Sequence, residues 1–97
     1  MTIDKETAYA IFRDEAHTLV KRGTPHVKEE GLENEEFFFA PIAAREAFNG
    51  DDRFLNDPGT PVTLVKKDDG KIVHMLPQSR KWMDLRKKMK PVNYLAD

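Results

Sequence analysis

The centre of the chain carries a run of six consecutive apolar residues: Phe37, Phe38, Phe39, Ala40, Pro41 and Ile42. Such a run favours a β-strand, and the side chains of successive strand residues point to opposite faces of the sheet. Both faces of this strand are therefore apolar. Whatever the fold, other parts of the protein or of a partner have to cover each face.

Two amphipathic segments flank this run. Apolar residues recur at helical spacing over residues 4–22, with Asp4 or Thr2 available to cap the first turn and Gly23 to end the helix. A second helix is predicted over residues 79–89, with Ser79 as its cap and Pro91 as its stop. Its inward side chains are predicted to be Trp82, Leu85 and Met89. Residues 91–97 are then expected to be a tail.

Two hairpins are predicted between the helices. Strands over residues 26–30 and 36–42 are expected to pair through a turn around Gly31 and Asn34. Strands over residues 61–66 and 71–76 flank Asp69–Gly70, and Asp-Gly between β-branched runs is a strong hairpin signal. The connection over residues 43–57 is expected to be irregular, with a helical turn at residues 44–48 and a turn at residues 56–59.

This order of elements predicts an α+β fold. We expect residues 1–97 to form one domain in which a four-stranded antiparallel sheet, made of the two hairpins, carries both terminal helices on one face. The other face would then be open to a partner.

Residues suited to catalysis or to cofactor binding are scarce in the sequence. There is no cysteine, and the only serine, Ser79, is explained by its role as a helix cap. His17, His26 and His74 stand at unrelated spacings, and the five glycines do not form a phosphate-binding loop. We therefore expect no enzymatic activity, no catalytic residues and no cofactor.

Three acidic residues between the hairpins, Asp51, Asp52 and Asp57, superficially suggest a calcium site. The twelve-residue spacing of an EF-hand is absent, and acidic residues in a solvated loop are the commoner explanation. We therefore predict no metal site.

Charge is strongly segregated along the chain. Residues 28–57 hold nine acidic and three basic side chains, and residues 64–90 hold nine basic and three acidic ones. The basic last helix makes a small nucleic-acid-associated or regulatory protein the alternative function, although the acidic half would repel a polyanion. The acids either steer a basic protein partner or only keep a hairpin soluble.

The predicted contact surface combines the apolar strand with nearby acids, and its members are Phe37, Phe39, Glu33, Glu35 and Glu36. The alternative is that these aromatic residues fill the core or the seam of a homodimer. Residues 1–13 lack the apolar core of a secretion signal, and no stretch is long and apolar enough for a membrane span. We therefore expect a cytoplasmic protein that binds another protein.

From Phe37 to Ile72 the order of motifs resembles the YrhB-like family of small bacterial proteins, which are grouped with the immunity proteins of polymorphic toxin systems. The matching stretches are Phe37-Phe38-Phe39, Ala44-Arg45-Glu46-Ala47-Phe48-Asn49-Gly50-Asp51, Pro58-Gly59-Thr60-Pro61-Val62-Thr63-Leu64-Val65 and Asp68-Asp69-Gly70-Lys71-Ile72. The family pattern has an asparagine in the Gly-Asn-x-Pro turn, which Gly59-Thr60-Pro61 lacks, and a Gly-Thr step after the last strand, which is also missing.

The resemblance implies an α+β fold with an antiparallel sheet and no enzymatic activity. It also implies that the protein neutralises a toxin or, in a chaperone-like role, stabilises a client protein. The family has no set of catalytic residues that could be matched to positions of this chain.

Overall fold

A long bent hairpin over residues 25–44 lies at the centre of the computed structural model, which describes residues 2–56 and 59–96. One arm holds β1 (Pro25–Val27) and β2 (Glu30–Glu33), and the other holds β3 (Phe37–Phe39) and β4 (Ile42–Ala44). Near the turn β2 pairs with β3, and further away β1 pairs with β4 in a separate two-stranded sheet.

The first predicted hairpin is therefore present, but each predicted strand is divided in two. The turn lies at residues 34–36, where the Asn34 Oδ1 atom accepts hydrogen bonds from the amides of Glu36 and Phe37 at 2.8 and 2.7 Å. The expectation of a turn around Gly31 is wrong, because Gly31 lies within β2 opposite Val92. Glycine is needed there since a Cβ atom would meet the Phe39 carbonyl group.

The main sheet has five antiparallel strands in the order β6-β5-β3-β2-β7. The second predicted hairpin is confirmed as β5 (Val62–Lys66) and β6 (Ile72–Met75), with Gly70 at a φ of 76° in its turn. The fifth strand, β7 (Lys90–Asn93), adds to the other side of the sheet beside β2. One five-stranded and one two-stranded sheet thus replace the single four-stranded sheet that we expected.

Residues 2–56 and 59–96 also form three α-helices and one short 3-10 helix: α1 (Lys5–Leu19), α2 (Arg45–Phe48), the 3-10 helix Asp52–Phe54 and α3 (Arg80–Lys87). Asp4 caps α1 by accepting a hydrogen bond from the Thr7 amide at 2.8 Å, and Ser79 caps α3. Both α1 and α3 are shorter than the predicted ranges 4–22 and 79–89. The backbones of the N-terminal capping residues Asp4 and Ser79 are extended, and that of Val20 is extended directly after the end of α1.

The helices α1 and α3 lie on opposite faces of the main sheet, and this overturns the expectation that they share one face. On one face α1 packs through Ala8, Phe12 and Ala16 against a cluster that includes Phe38 and Val65. On the other face Trp82 of α3 packs against a second cluster, which contains Phe37, Leu64 and Met75. The apolar central strand is thus covered from both sides by the chain itself.

The segment predicted to be a tail, residues 91–97, supplies a strand and a core residue instead. Tyr94 is 1% exposed and packs against Tyr9, Phe12 and Phe38, and its hydroxyl group donates to the Phe39 carbonyl oxygen at 2.6 Å. Burial and the negative charge of Glu33 together raise the pKa of the Tyr94 hydroxyl far above its usual value. The end of the described chain is therefore anchored in the core on the α1 face.

Within the described residues, no helix is long and apolar enough to cross a membrane.

Candidate functional site

The aromatic members of the predicted contact surface lie beneath α3. Phe37 is buried in the cluster with Leu64, Met75 and Trp82. Phe39 is half-buried, and its ring centroid lies 4.7 Å from that of Trp82. The expectation that this side of the strand is open is wrong for Phe37, and only Phe39 retains an accessible edge.

The acidic members lie elsewhere. Glu33 is opposite Phe38 in the sheet register and therefore faces the α1 side, away from Phe37 and Phe39. Its carboxylate accepts a hydrogen bond from Lys67 Nζ at 2.7 Å, and the same Nζ lies 4.6 Å from the centroid of the Phe38 ring. Glu33 thus has a partner inside the fold.

Glu35 and Glu36 are exposed in the β2–β3 turn, where the Asn34 side chain holds the backbone. The Glu36 carbonyl group accepts from the Lys67 amide at 2.9 Å, so this turn is tied to β5 as well. The five predicted contact residues are therefore divided between two faces and a turn. They do not form one surface.

A groove runs along the α3 face at the edge of the helix. The groove exposes a strip of the sheet between α3, which has eight residues, and β2. The groove has a volume of about 490 Å³, and charged side chains of Glu30 and Arg86 stand in its lining. Its apolar lining consists of Leu32, Phe39, Pro41, Val62, Trp82 and Pro91.

Of the groove residues, Phe39 was predicted from the sequence to be a contact residue, and the others were not. Trp82 was predicted to point inward, and it does, but one side of it lines the groove. Pro91 was assigned to a tail, so its place on the sheet beside Leu32 was not predicted. Trp82, Pro41 and Pro91 were the residues of the sequence that could have indicated the groove. Of these, Trp82 was the clearest signal, because tryptophan is enriched in protein interfaces.

The three histidines have different structural surroundings. His74 Nε2 lies 2.9 Å from Glu15 Oε1 on the α1 face, with 43% of the His74 side chain exposed. Neither residue lines the groove. The His26 ring meets Phe48 edge to face at 5.6 Å, and His17 is exposed in the last turn of α1.

Among the residues weighed as a metal site or a nucleophile, Asp51 and Ser79 have structural partners. The Asp51 carboxylate binds the Arg53 guanidinium group, with its closest contact at 2.7 Å, and this hydrogen bonding lowers the pKa of Asp51. Asp57 lies outside the described residues. Ser79 Oγ accepts from the Trp82 amide at 3.2 Å and donates to the Leu76 carbonyl oxygen at 2.8 Å.

No group of three or more potential metal ligands occurs in residues 2–56 and 59–96.

Comparisons of the chain with protein-family models, with curated proteins and with solved structures find no match.

Proposed function

We propose that this protein is a non-enzymatic protein-binding domain that acts like an immunity protein, neutralising a toxin, or else stabilises a client protein. The observation that carries the proposal is the groove beside α3. An aromatic lining that includes tryptophan, with charged groups at its border, is the composition of sites that dominate binding energy in protein interfaces. The YrhB-like resemblance of residues 37–72 points in the same direction.

The occupant we propose is an apolar segment of another protein. The strip of Leu32, Phe39 and Val62 offers a half-buried apolar floor, which favours an apolar side chain over a polar substrate. Glu30 and Arg86, one of each sign, would set the orientation of that segment by pairing with its charged neighbours.

Photo-cross-linking tests this proposal directly. p-Benzoylphenylalanine is placed at position 86, which lines the groove, or at position 81, which lies on the same helix and does not line it. Both native residues are exposed, so neither replacement disturbs the core. In cells of the source organism we expect one discrete protein adduct from position 86 and none from position 81. The absence of an adduct from position 86, or the same adduct from both positions, would contradict the proposal.

The two versions of the function are separated by growth. An immunity protein restores growth to cells that express the toxin encoded beside its gene, whereas a client-stabilising protein raises the amount of folded client without affecting such a toxin.

The alternative function, nucleic-acid association through the basic helix, is tested on the same scaffold. The basic side chains Arg80, Lys81, Arg86, Lys87 and Lys88 are all exposed. Salt-sensitive retention on DNA or RNA that is lost in Lys87→Glu with Lys88→Glu would favour this alternative. Equal effects of Arg86→Glu and Lys81→Glu would also favour it, because a polyanion responds to total charge, whereas a groove ligand responds to position.

A further inference from the structure

The sheets of this protein have several strand edges, and most of them carry features that prevent the pairing of another strand. In β7 the backbone groups that point away from β2 belong to Pro91, which has no N–H group, and to Asn93, whose carbonyl oxygen accepts from Lys5 Nζ at 3.0 Å. A further strand cannot form a regular ladder along this edge.

The two-stranded sheet is protected in the same way. The outward carbonyl group of Val27 in β1 accepts from the Tyr9 hydroxyl at 2.8 Å, and Pro25 has no N–H group. On the other side the outward carbonyl group of Ile42 in β4 accepts from Asn56 Nδ2 at 2.8 Å. Proline and side-chain hydrogen bonds thus occupy these edges.

The edge of β6 from Ile72 to His74 lacks such protection. The bond from the Lys66 amide to the Lys71 carbonyl oxygen marks a hydrogen-bonded pair, and bonded and non-bonded pairs alternate along an antiparallel ladder. Ile72 and His74 therefore point their N–H and C=O groups away from β5. β6 is the last strand of the sheet, and no strand of the described part pairs with it on that side.

The sequence of this edge is symmetric about His74. Ile72 and Leu76 stand two residues away on either side and are 40% and 60% exposed, and Val73 and Met75 stand one residue away. The strand carries no lysine, glutamate or proline, and its histidine is already held by Glu15. Exposed apolar residues with outward backbone groups form a surface suited to strand addition.

We propose that β6 pairs with β6 of a second copy of this chain, antiparallel and about a two-fold axis at His74. In this register Ile72 lies opposite Leu76 of the second copy, and Val73 lies opposite Met75 of the second copy. The His74 backbone groups bond to each other across the axis, and the Leu76 amide donates to the Ile72 carbonyl group of the second copy. Each apolar residue meets an apolar residue on the same face of a continuous ten-stranded sheet.

The neighbouring register, with Ile72 opposite His74 of the second copy, is disfavoured for two reasons. It leaves Leu76 beyond the paired strands and places Ile72 against the His74–Glu15 pair. The Leu76 carbonyl oxygen already accepts from the amide and the hydroxyl group of Ser79, so the Ile72 N–H group opposite it gains no ladder bond in this register. This dimer does not depend on the groove or on the proposed function.

Sedimentation equilibrium over a wide range of concentrations tests the proposal. Leu76→Lys places a charge in the seam, and Leu95→Lys is its matched control, because Leu95 is 62% exposed and lies outside β6. We expect wild type and Leu95→Lys to dimerise equally, and Leu76→Lys to dimerise at least roughly tenfold more weakly. A wild-type chain that stays monomeric throughout, or a dimer that Leu76→Lys leaves unchanged, would overturn the proposal.

Hydrogen exchange of the wild-type protein gives a second readout that needs no variant. The outward His74 amide has no partner strand in one copy, so its exchange is expected to slow roughly tenfold or more at concentrations that favour the dimer. Exchange that is independent of concentration would contradict the pairing. Slowing that requires another protein, with this chain monomeric, would replace the second copy by that protein and would also overturn the proposal.

Discussion

Replacing Gly31 by alanine probes the most crowded point of the main sheet. A Cβ atom at this position would collide with the Phe39 carbonyl oxygen and would lie 2.8 Å from Tyr94 Cε2 and 3.2 Å from Ala40 Cα. Two of these neighbours are backbone atoms, and Tyr94 is 1% exposed, so none of them is free to move aside. Relief requires β2 and β3 to separate or the Tyr94 ring to leave its place.

The expected magnitude follows from two opposing effects. Overpacking of this kind costs about 1–3 kcal/mol, whereas the lower entropy of the unfolded alanine variant returns only about 0.4–1 kcal/mol. We therefore expect Gly31→Ala to lower the free energy of unfolding by about 1–2 kcal/mol. Urea unfolding monitored by fluorescence of the single, buried Trp82 is the assay, and the midpoint is expected to fall by roughly 1 M.

Gly59→Ala is the matched control for this substitution. A Cβ atom at Gly59 meets nothing within 4 Å, and its backbone is not in the left-handed region, so the variant is expected to be neutral or slightly more stable. If Gly31→Ala were as stable as Gly59→Ala, the close packing of β2, β3 and Tyr94 described above would be refuted.

Three further predictions concern single residues. Thr63 is 3% exposed, and its Oγ1 has no hydrogen-bond partner among the described residues; Thr63→Val is therefore expected to stabilise the fold by about 1 kcal/mol, seen as a higher thermal midpoint. An unchanged or lower midpoint would show that the hydroxyl group has a partner. Ser79→Ala removes the cap of α3 and is expected to cost about 1 kcal/mol in urea unfolding, and a smaller loss than in an exposed-surface control such as Lys81→Ala would contradict this. The neutral form of Tyr94 is favoured in the folded state, so its pKa is higher folded than unfolded; this contribution to stability is complete below about pH 10 and is lost as the pH rises further. Alkaline unfolding monitored by tyrosinate absorbance is therefore expected to depend less steeply on pH in Tyr94→Phe than in wild type. The same pH dependence in both proteins would contradict the burial of the Tyr94 hydroxyl group.

The local elements of this fold were predictable because their signals are short-range. Asp4 and Ser79 cap the helices that they were expected to cap, and Asp69–Gly70 makes the turn of the β5–β6 hairpin. Each of these features depends on residues within a few positions of one another, and no distant contact overrides them.

The elements that were missed depend on distant partners. Lys90–Asn93 contains a proline and has no alternating pattern, so only its pairing with β2, about sixty residues earlier, makes it a strand. The apolar run at residues 37–42 correctly indicated two faces in need of cover. It did not indicate that α1 covers one face and α3 the other, since this is decided by the path of the connections rather than by periodicity.

The groove also depends on distant partners, so among its residues the sequence predicted Phe39 as a contact residue and not the others. Phe39 keeps an accessible edge at the groove, whereas Phe37, two residues earlier on the same face, is buried in the cluster with Leu64, Met75 and Trp82. The pattern of the strand assigns both to one face and cannot state where a helix of eight residues ends.

We propose that the groove beside α3 holds a segment of another protein. The most direct test is the affinity of the cross-linked partner for wild type, Arg86→Glu and Lys81→Glu, measured by titration calorimetry. The two variants change the charge equally on the same exposed helix, and only Arg86 lines the groove. We predict that Arg86→Glu weakens binding roughly tenfold or more while Lys81→Glu leaves it unchanged. An equal loss in both variants, or no loss in either, would contradict the claim.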